Sequence, residues 1–353
     1  MSPSPRQRRS TGEPGRPLAI AVSMGDPEGI GPDIALMSWR ERQRHALPNF
    51  IIFGDPDVLA KRARALGLEV PIKTLTSLTE VGGVFAHALP VCPVQVSAMG
   101  DEDRAIVASI EAAVAAVSAG EALAIVTNPI VKRTLDRAEL AYPGHTEFLA
   151  ELALRHGTAS SRPLPVMMLV AEELKVVPAT VHIPLAAVPG ALTPQRLADT
   201  LRITAAALIG DFGIARPRIA VAGLNPHAGE GGRIGREEIE LIKPAIDAVA
   251  AEGIAVTGPY SADTLFHAEA RTAYDAAVAM YHDQALVPIK TLAFDRGVNV
   301  TLGLPFVRTS PDHGTAFALA GTGKARPGSF IAALHLADAI GQRRAAARTS
   351  LRT

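Results

Sequence analysis

The sequence predicts an α/β protein built on a mostly parallel or mixed sheet with helices on both faces. Three observations predict it. Short β-rich apolar runs alternate with alanine-rich helical stretches. The runs are apolar throughout, as strands buried on both sides are. The Gly, Asn-Pro and His residues concentrate in loops just after those runs. Strand–helix alternation implies crossover connections, and open α/β sheets bind ligands at the carboxyl ends of strands.

The elements follow in order. Leu18 to Met24 reads as a buried strand, running through Gly25-Asp-Pro-Glu-Gly-Ile-Gly31-Pro32 into a helix that starts near Asp33. Phe50 to Phe53 is a second strand, stopped by Gly54-Asp-Pro56, with a helix over Val58 to Leu66. Arg104 to Ala119 has helical spacing and ends at Gly120. Leu123 to Val126 is a strand ending at Thr127-Asn-Pro129. Pro165 to Ala171 and Lys175 to Val181 read as neighbouring strands, followed by a helix over Pro194 to Ile209. Arg218 to Ala222 is a strand feeding the loop Gly223 to Gly232, and Arg236 to Glu252 is a helix. Ala276 to Met280 is a strand leading to Tyr281-His-Asp-Gln284. Gly314 to Ala320 and Ser329 to Ile340 have helical character, and Arg343 to Thr353 is expected to fray. No solenoid repeat and no linker is present.

Composition narrows the function. The 353 residues are 48% apolar, enough for a large core. Lys plus Arg and Asp plus Glu both number 35, a balance that argues against a general nucleic-acid binder. A small anion needs only a few local cations. The single cysteine, Cys92, excludes an intrachain disulfide and a thiolate-rich zinc site, and is expected to pack as a small apolar residue. No apolar run reaches membrane-spanning length. Met1 to Arg16 carries Arg6, Arg8, Arg9 and Arg16 without the apolar stretch of a secretory signal, so a disordered basic tail and a cytoplasmic protein are expected.

Each motif has a functional and a structural reading. Gly25, Asp26, Gly29 and Gly31 form a turn that could bring backbone close to an anionic cofactor at a helix N-terminus. A tight turn needing positive φ accounts for the same glycines, and Gly-x-x-x-Gly-x-Gly is not the dinucleotide fingerprint. His145 and Thr146 sit where a helix begins, and Thr146 as a helix cap is the structural alternative. His182, His227 and His282 each follow a strand. Three neutral imidazoles suit Zn²⁺ or a similar divalent ion if they converge, and are satisfied structural histidines if they do not. Lys290, Asn299 and Arg308 would suit a phosphate or carboxylate if gathered in one place.

Together these segments resemble the 4-hydroxythreonine-4-phosphate dehydrogenase family of vitamin B6 synthesis, over about Leu18 to Ala337. The specific pieces are Gly25 to Pro32, Tyr142-Pro-Gly-His-Thr-Glu147, Asn225-Pro-His-Ala-Gly-Glu230, Tyr281 to Gln284 and Arg296 to Gly314. The resemblance implies two α/β/α lobes around a cleft, like isocitrate and isopropylmalate dehydrogenases. On this chain the lobes fall at 17–140 plus 299–342 (cofactor side) and 141–298 (metal and dimer side), between tails 1–16 and 343–353. It implies a homodimer whose sites use both subunits, NAD or NADP, and a divalent metal (Zn, Mg or Co) on His182, His227 and His282. It implies a small phosphorylated substrate on His145, Thr146, Lys290, Asn299 and Arg308. Lys290, then Asp283, are the candidates for the proton-transferring residue. Relatives acting on sugar-acid phosphates or aromatic cis-diols, and a non-enzymatic metal- or phosphate-binding protein, are the alternative functions.

Overall fold

The structure is a computed structural model that describes residues 18–94, 102–131 and 144–350. The expected N-terminal tail, Lys132, Tyr142 and Pro143 lie outside the described residues. No helix among them is long and apolar enough to cross a membrane.

Twelve strands form one sheet among the described residues. The first half contains β1 (Ile20–Ser23), β2 (Phe50–Gly54), β3 (Ile72–Thr74), β4 (Leu89–Pro93) and β5 (Ile125–Thr127). The second contains β6 (Val166–Val170), β7 (Lys175–Pro178), β8 (Arg218–Ala222), β9 (Ala255–Tyr260) and β10 (Ala276–Ala279). The chain then returns to the middle as β11 (Val298–Leu302) and β12 (Arg308–Pro311). The order is β3-β4-β2-β1-β5-β12-β11-β6-β7-β10-β8-β9. Pairing is parallel in both outer parts and antiparallel from β12 through β11 and β6 to β7. The predicted mixed α/β sheet is therefore present.

The helices are α1 (Gly31–Arg40), α2 (Pro56–Ala65), α3 (Glu102–Ser118), α4 (His145–Arg155), α5 (Pro194–Gly210), α6 (Lys243–Ala251), α7 (His282–Ala293) and α8 (Gly328–Ser350). Alternation along each strand explains the layers. Ile20 and Val22, Ile219 and Val221, and Ala276 and Val278 face one apolar cluster that continues across both halves of the sheet. Ala19 and Ala21 face a second cluster under α3 and α4; Ala220, Ala222, Ala277 and Ala279 face a third, with α7. Each fully buried Val or Ile contributes roughly 1.5–3 kcal/mol, so the continuous cluster binds the halves together. The helix α4, placed by the expected boundary in the second lobe, packs in the cluster of the first half through Phe148 and Leu149.

Several elements depart from expectation. Gly314 to Ala320 forms no helix, only a short 3-10 turn at Phe317–Leu319, because Ala316 enters it in a left-handed conformation. The segment Glu238–Ile242 is a π-turn ahead of α6. The C-terminal end does not fray at Arg343. The helix α8 runs to Ser350, with Arg344 paired to the buried Asp211 at 2.6 Å. Cys92 lies in β4, half-buried against the second cluster, and burial pushes its thiol pKa up.

Candidate active site

A cavity of about 430 Å³ lies where the two halves of the sheet meet. It is lined by Thr127 at the end of β5 and Asn128 just after it, by Asn299 and Arg308 of β11 and β12, and by Asp312 and His313 beyond them. His145 at the start of α4, Lys290 of α7, His182 and His282 complete the wall that carries polar chemistry. The antiparallel centre creates this meeting. It lets segments that follow β5 and β12 share a cavity with segments that follow β7 and β10.

Arg308 dominates the electrostatics. It is only 5% exposed, and its guanidinium donates to Thr127 Oγ1 (2.7 and 3.1 Å) and Thr301 Oγ1 (2.9 Å). Among the described residues no carboxylate pairs with it. Burial lowers its pKa to about 10. A buried cation held only by hydroxyls is costly and calls for an anionic ligand. Four further cavity atoms are buried without a hydrogen-bond partner among the described residues: Asn128 Oδ1, His145 Nε2, Asn299 Oδ1 and His313 Nε2. Buried polar atoms are satisfied in nearly all native sites, so this group is the wall of a polar ligand's site. Burial, and then the Arg308 charge, hold the His145 imidazole well below its ordinary pKa. His313 is lowered too, first by burial, while its Nδ1 faces the Gly314 carbonyl at 3.2 Å.

Lys290 donates to the Asp312 carbonyl at 2.6 Å and pairs with the Asp312 carboxylate at 2.9 Å. The structure thus brings His145, Lys290, Asn299 and Arg308 to one cavity. Thr146 is in the first turn of α4 and outside that lining. Gly144 is the cap residue, and no side chain caps the helix, so the capping alternative for Thr146 does not hold.

The three expected metal ligands divide. His182 and His282 approach with ring centroids 5.6 Å apart, and both line the cavity. Asp283 accepts from His282 Nδ1 at 2.7 Å, which leaves Nε2 as the ring nitrogen with a free lone pair. His227 is exposed in the loop after β8 and does not line it. Among the described residues no three His, Cys, Asp or Glu side chains gather closely enough to hold an ion.

The glycine turn borders the cavity from behind. Asp26 N–H donates to the Pro129 carbonyl and Ile30 N–H to that of Thr315. Gly25, Asp26, Gly29 and Gly31 are all buried. A Cβ on Gly25 (φ +78) would meet Asn128 Cβ at 2.7 Å, and one on Gly31 would meet the Met24 carbonyl at 2.6 Å. Close approach of protein to protein accounts for Gly25 and Gly31. The turn's contribution is to place Asn128 and Pro129 at the cavity wall. Arg62 clamps it, donating to the Gly29 and Pro27 carbonyls and pairing with the buried Asp33.

Sequence reasoning assigned no role to Thr127, Asn128, Asp312 or His313. The signal was present: Thr127 and Asn128 end an apolar strand before a proline, and Asp312 and His313 sit in the motif that contains Arg308.

Fold and site define an α/β protein with a buried cation at the wall of a polar cavity between the two halves of its sheet, and an imidazole pair on the same wall. The sequence pattern of the pyridoxal phosphate biosynthetic protein PdxA matches residues 46–337. Among curated relatives, a 4-hydroxythreonine-4-phosphate dehydrogenase of Methylorubrum populi is 55% identical over 337 residues, covering 93% of this chain and 95% of the relative. One from Xanthobacter autotrophicus is 52% identical over 328 residues, covering 91% and 93%. The crystal structure of the Klebsiella pneumoniae 4-hydroxythreonine-4-phosphate dehydrogenase superposes with a TM-score of 0.79 at 37% identity, covering 92% of this chain and 98% of that one. The chain belongs to the PdxA family.

Proposed function

We propose that this chain oxidises the secondary alcohol of 4-hydroxythreonine 4-phosphate, using NAD or NADP, to a 3-keto acid. Loss of CO₂ then gives 3-amino-2-oxopropyl phosphate for pyridoxal phosphate synthesis. The observation that carries this reading is the buried, carboxylate-free guanidinium of Arg308 in a cavity it shares with Lys290, His145 and Asn299. Relatives above 50% identical that carry the 4-hydroxythreonine-4-phosphate dehydrogenase name support it.

When bound, an oxidised nicotinamide accepts the hydride and a divalent ion lowers the alcohol's pKa. Arg308 and Lys290 hold the substrate's anionic groups, as a fork and a point charge. Asn299 Oδ1 accepts a hydrogen bond from the substrate's ammonium or hydroxyl. Thr146, in the same helical turn as His145 but outside the cavity lining, is given a substrate contact only by the family resemblance. Lys290 moves the proton at the carbon that loses CO₂. Asp283 is given the orienting of His282 rather than proton transfer, because its carboxylate is spent on that ring.

His182 and His282 fit a divalent ion in kind and in proximity, Zn or Co more than Mg. With His227 as the third donor, the set is completed only when two copies meet, which suits a homodimer sharing its sites. Exposed Leu185 and Ile183 beside His182 give such a contact an apolar rim. The glycine turn serves the cofactor by fixing the Asn128 wall. Cys92 as a free thiol suits a reducing cytoplasm.

The test is a substrate panel, covering the phosphorylated hydroxy acid, a sugar-acid phosphate and an aromatic cis-diol. Each is run with NAD⁺ and NADP⁺, before and after chelation and metal return. Turnover of the first, lost on chelation and restored by a divalent ion, is expected. Turnover of the unphosphorylated diol alone overturns the reading.

A further inference from the structure

Two cations line the cavity, and their surroundings differ. Arg308 has only hydroxyls around its guanidinium, which leaves its charge for a ligand. Lys290 carries a carboxylate of its own. Its ammonium donates to the Asp312 carbonyl at 2.6 Å and meets the Asp312 carboxylate at 2.9 Å. Both residues line the cavity. Attraction of an anion gains nothing from that carboxylate, which repels the ligand and offsets the charge of Lys290. The task of Asp312 is therefore a different one.

Its effect is on placement. A lysine ammonium sits on a flexible four-carbon stem and has three donors. Asp312 takes two of those donors, one through its main chain and one through its side chain. Lys290 is thereby held in one place, with a single donor left for a ligand.

Asp312 can hold Lys290 because it is itself fixed. Its N–H donates to Ser329 Oγ at 2.9 Å, and that hydroxyl donates to the Gly297 carbonyl at 2.5 Å. Ser329 lies in the first turn of α8 and is 3% exposed, so water does not compete for its hydroxyl. Gly297 immediately precedes β11, the strand of Asn299, and Asp312 immediately follows β12, the strand of Arg308. One chain of bonds thus ties the Lys290 ammonium of α7 to the two strands that present Asn299 and Arg308.

A plainer role for the pair is a pin between α7 and the end of β12. The Lys290 side chain is 30% exposed and that of Asp312 13%, and an ion pair open to water adds little stability. A pin also has no need of the second bond through the main chain.

We propose that Asp312 is the positioning residue of Lys290. It holds the ammonium at a set place relative to Asn299 and Arg308, so that one substrate meets all three. This rests on the reading above that Lys290 touches the substrate.

The test uses the full-length protein, Asp312→Asn, Lys290→Met and the double variant. Asp312→Asn keeps the shape and the main-chain bond and removes the charge. One readout is kcat/KM for the phosphorylated hydroxy acid. The other is acylation of Lys290 by an N-hydroxysuccinimide ester, followed by peptide mass spectrometry. Lys290 should acylate several-fold faster in Asp312→Asn, with the other lysines unchanged, because only a freed amine attacks the ester. Its kcat/KM should fall by about tenfold, the scale of a displaced binding group. In the Lys290→Met background the same substitution should change kcat/KM by less than about twofold, since nothing is left to position. A merely structural Asp312 would lower kcat/KM by the same factor in both backgrounds, and that result overturns the proposal. Unchanged acylation of Lys290 overturns it too, as does an Asp312→Asn protein with the kcat/KM of the parent. If Lys290→Met turns over as the parent does while Asp312→Asn still frees Lys290 for acylation, the substrate reading of Lys290 is what has failed, and the proposal falls with it.

Discussion

At the scale of the residue, the site is recognisable by what its side chains lack. Arg308 has hydroxyls where a buried guanidinium ordinarily has a carboxylate. Inorganic phosphate at a hundred times its Kd should stabilise the parent protein by about 2.7 kcal/mol. Arg308→Met should lose that stabilisation, and kcat/KM should fall about a hundredfold, the cost of truncating one partner of a buried charge pair. Its ligand-free stability should drop by no more than about 1 kcal/mol, because an uncompensated buried charge leaves with the arginine. Differential scanning fluorimetry with and without phosphate measures both effects, and phosphate stabilisation retained in Arg308→Met would contradict them. His145 gives a pH signature. Its folded pKa lies well below the ordinary value, so the unfolded chain binds the proton first. The stability it contributes is fully present above about pH 6.5 and is lost as pH falls from there toward the folded pKa. His145→Asn should flatten the urea-denaturation free energy between pH 6.5 and 5 relative to the parent. An unchanged slope would show that the imidazole is not held neutral. His313 adds to the same window with the same sign.

At the scale of the element, the loop after β8 was legible as a loop and illegible as a shape. Asn-Pro-His and the glycines of 223–232 signal a turn. Nothing in them announces five successive left-handed residues, since Ala228 and Glu230 are poor candidates for that conformation. The loop is braced at its start by Glu238, which reaches in from the π-turn ahead of α6 and accepts from Leu224 N–H, Asn225 N–H and Asn225 Nδ2. Two glycines of the loop separate the contributions. Gly229 has φ +75, and a Cβ there would meet Glu238 Oε2 at 2.5 Å; Gly231 has φ +67 and nothing within 4 Å. Gly231→Ala should therefore cost only the left-handed penalty, roughly 1–2 kcal/mol. Gly229→Ala should cost at least twice that, since it also displaces a buried carboxylate. Urea midpoints measure the difference, and equal costs for the two would refute it. The strands β11 and β12 escaped a periodicity reading for a related reason. Asn299 and Arg308 interrupt their apolar pattern because those side chains face the cavity, and Thr301 because its hydroxyl holds the Arg308 guanidinium.

At the scale of the whole molecule, the open question of assembly follows from the divided histidines. A site finished by two copies should exist only in the dimer. Leu185 is 67% exposed and lies three residues from His182, in the small cavity that adjoins it. Sedimentation should give a dimer for the parent, while Leu185→Asp should shift it to monomer and remove most of kcat at assay concentration. A monomeric parent with full turnover would end the shared-site reading. The continuous cluster across the sheet predicts single-step unfolding of each chain, because no apolar boundary separates the halves.

While β3, β4, β9 and α7 went unread, the sequence by itself determined the α/β class, strands β1, β2, β5, β6, β7, β8 and β10, most of the helices between them and the identity of several polar groups that line the cavity. Those properties are local: apolar periodicity, turn chemistry and residue type act over a few positions. Only the tertiary structure decided that the sheet turns antiparallel at its centre, that Thr127 cradles Arg308, and that Lys290 is tied to Asp312. It also decided that His182 meets His282 while His227 stands apart. Each of these joins residues tens to hundreds of positions apart, and their geometry is fixed by packing and hydrogen bonds that no local pattern encodes.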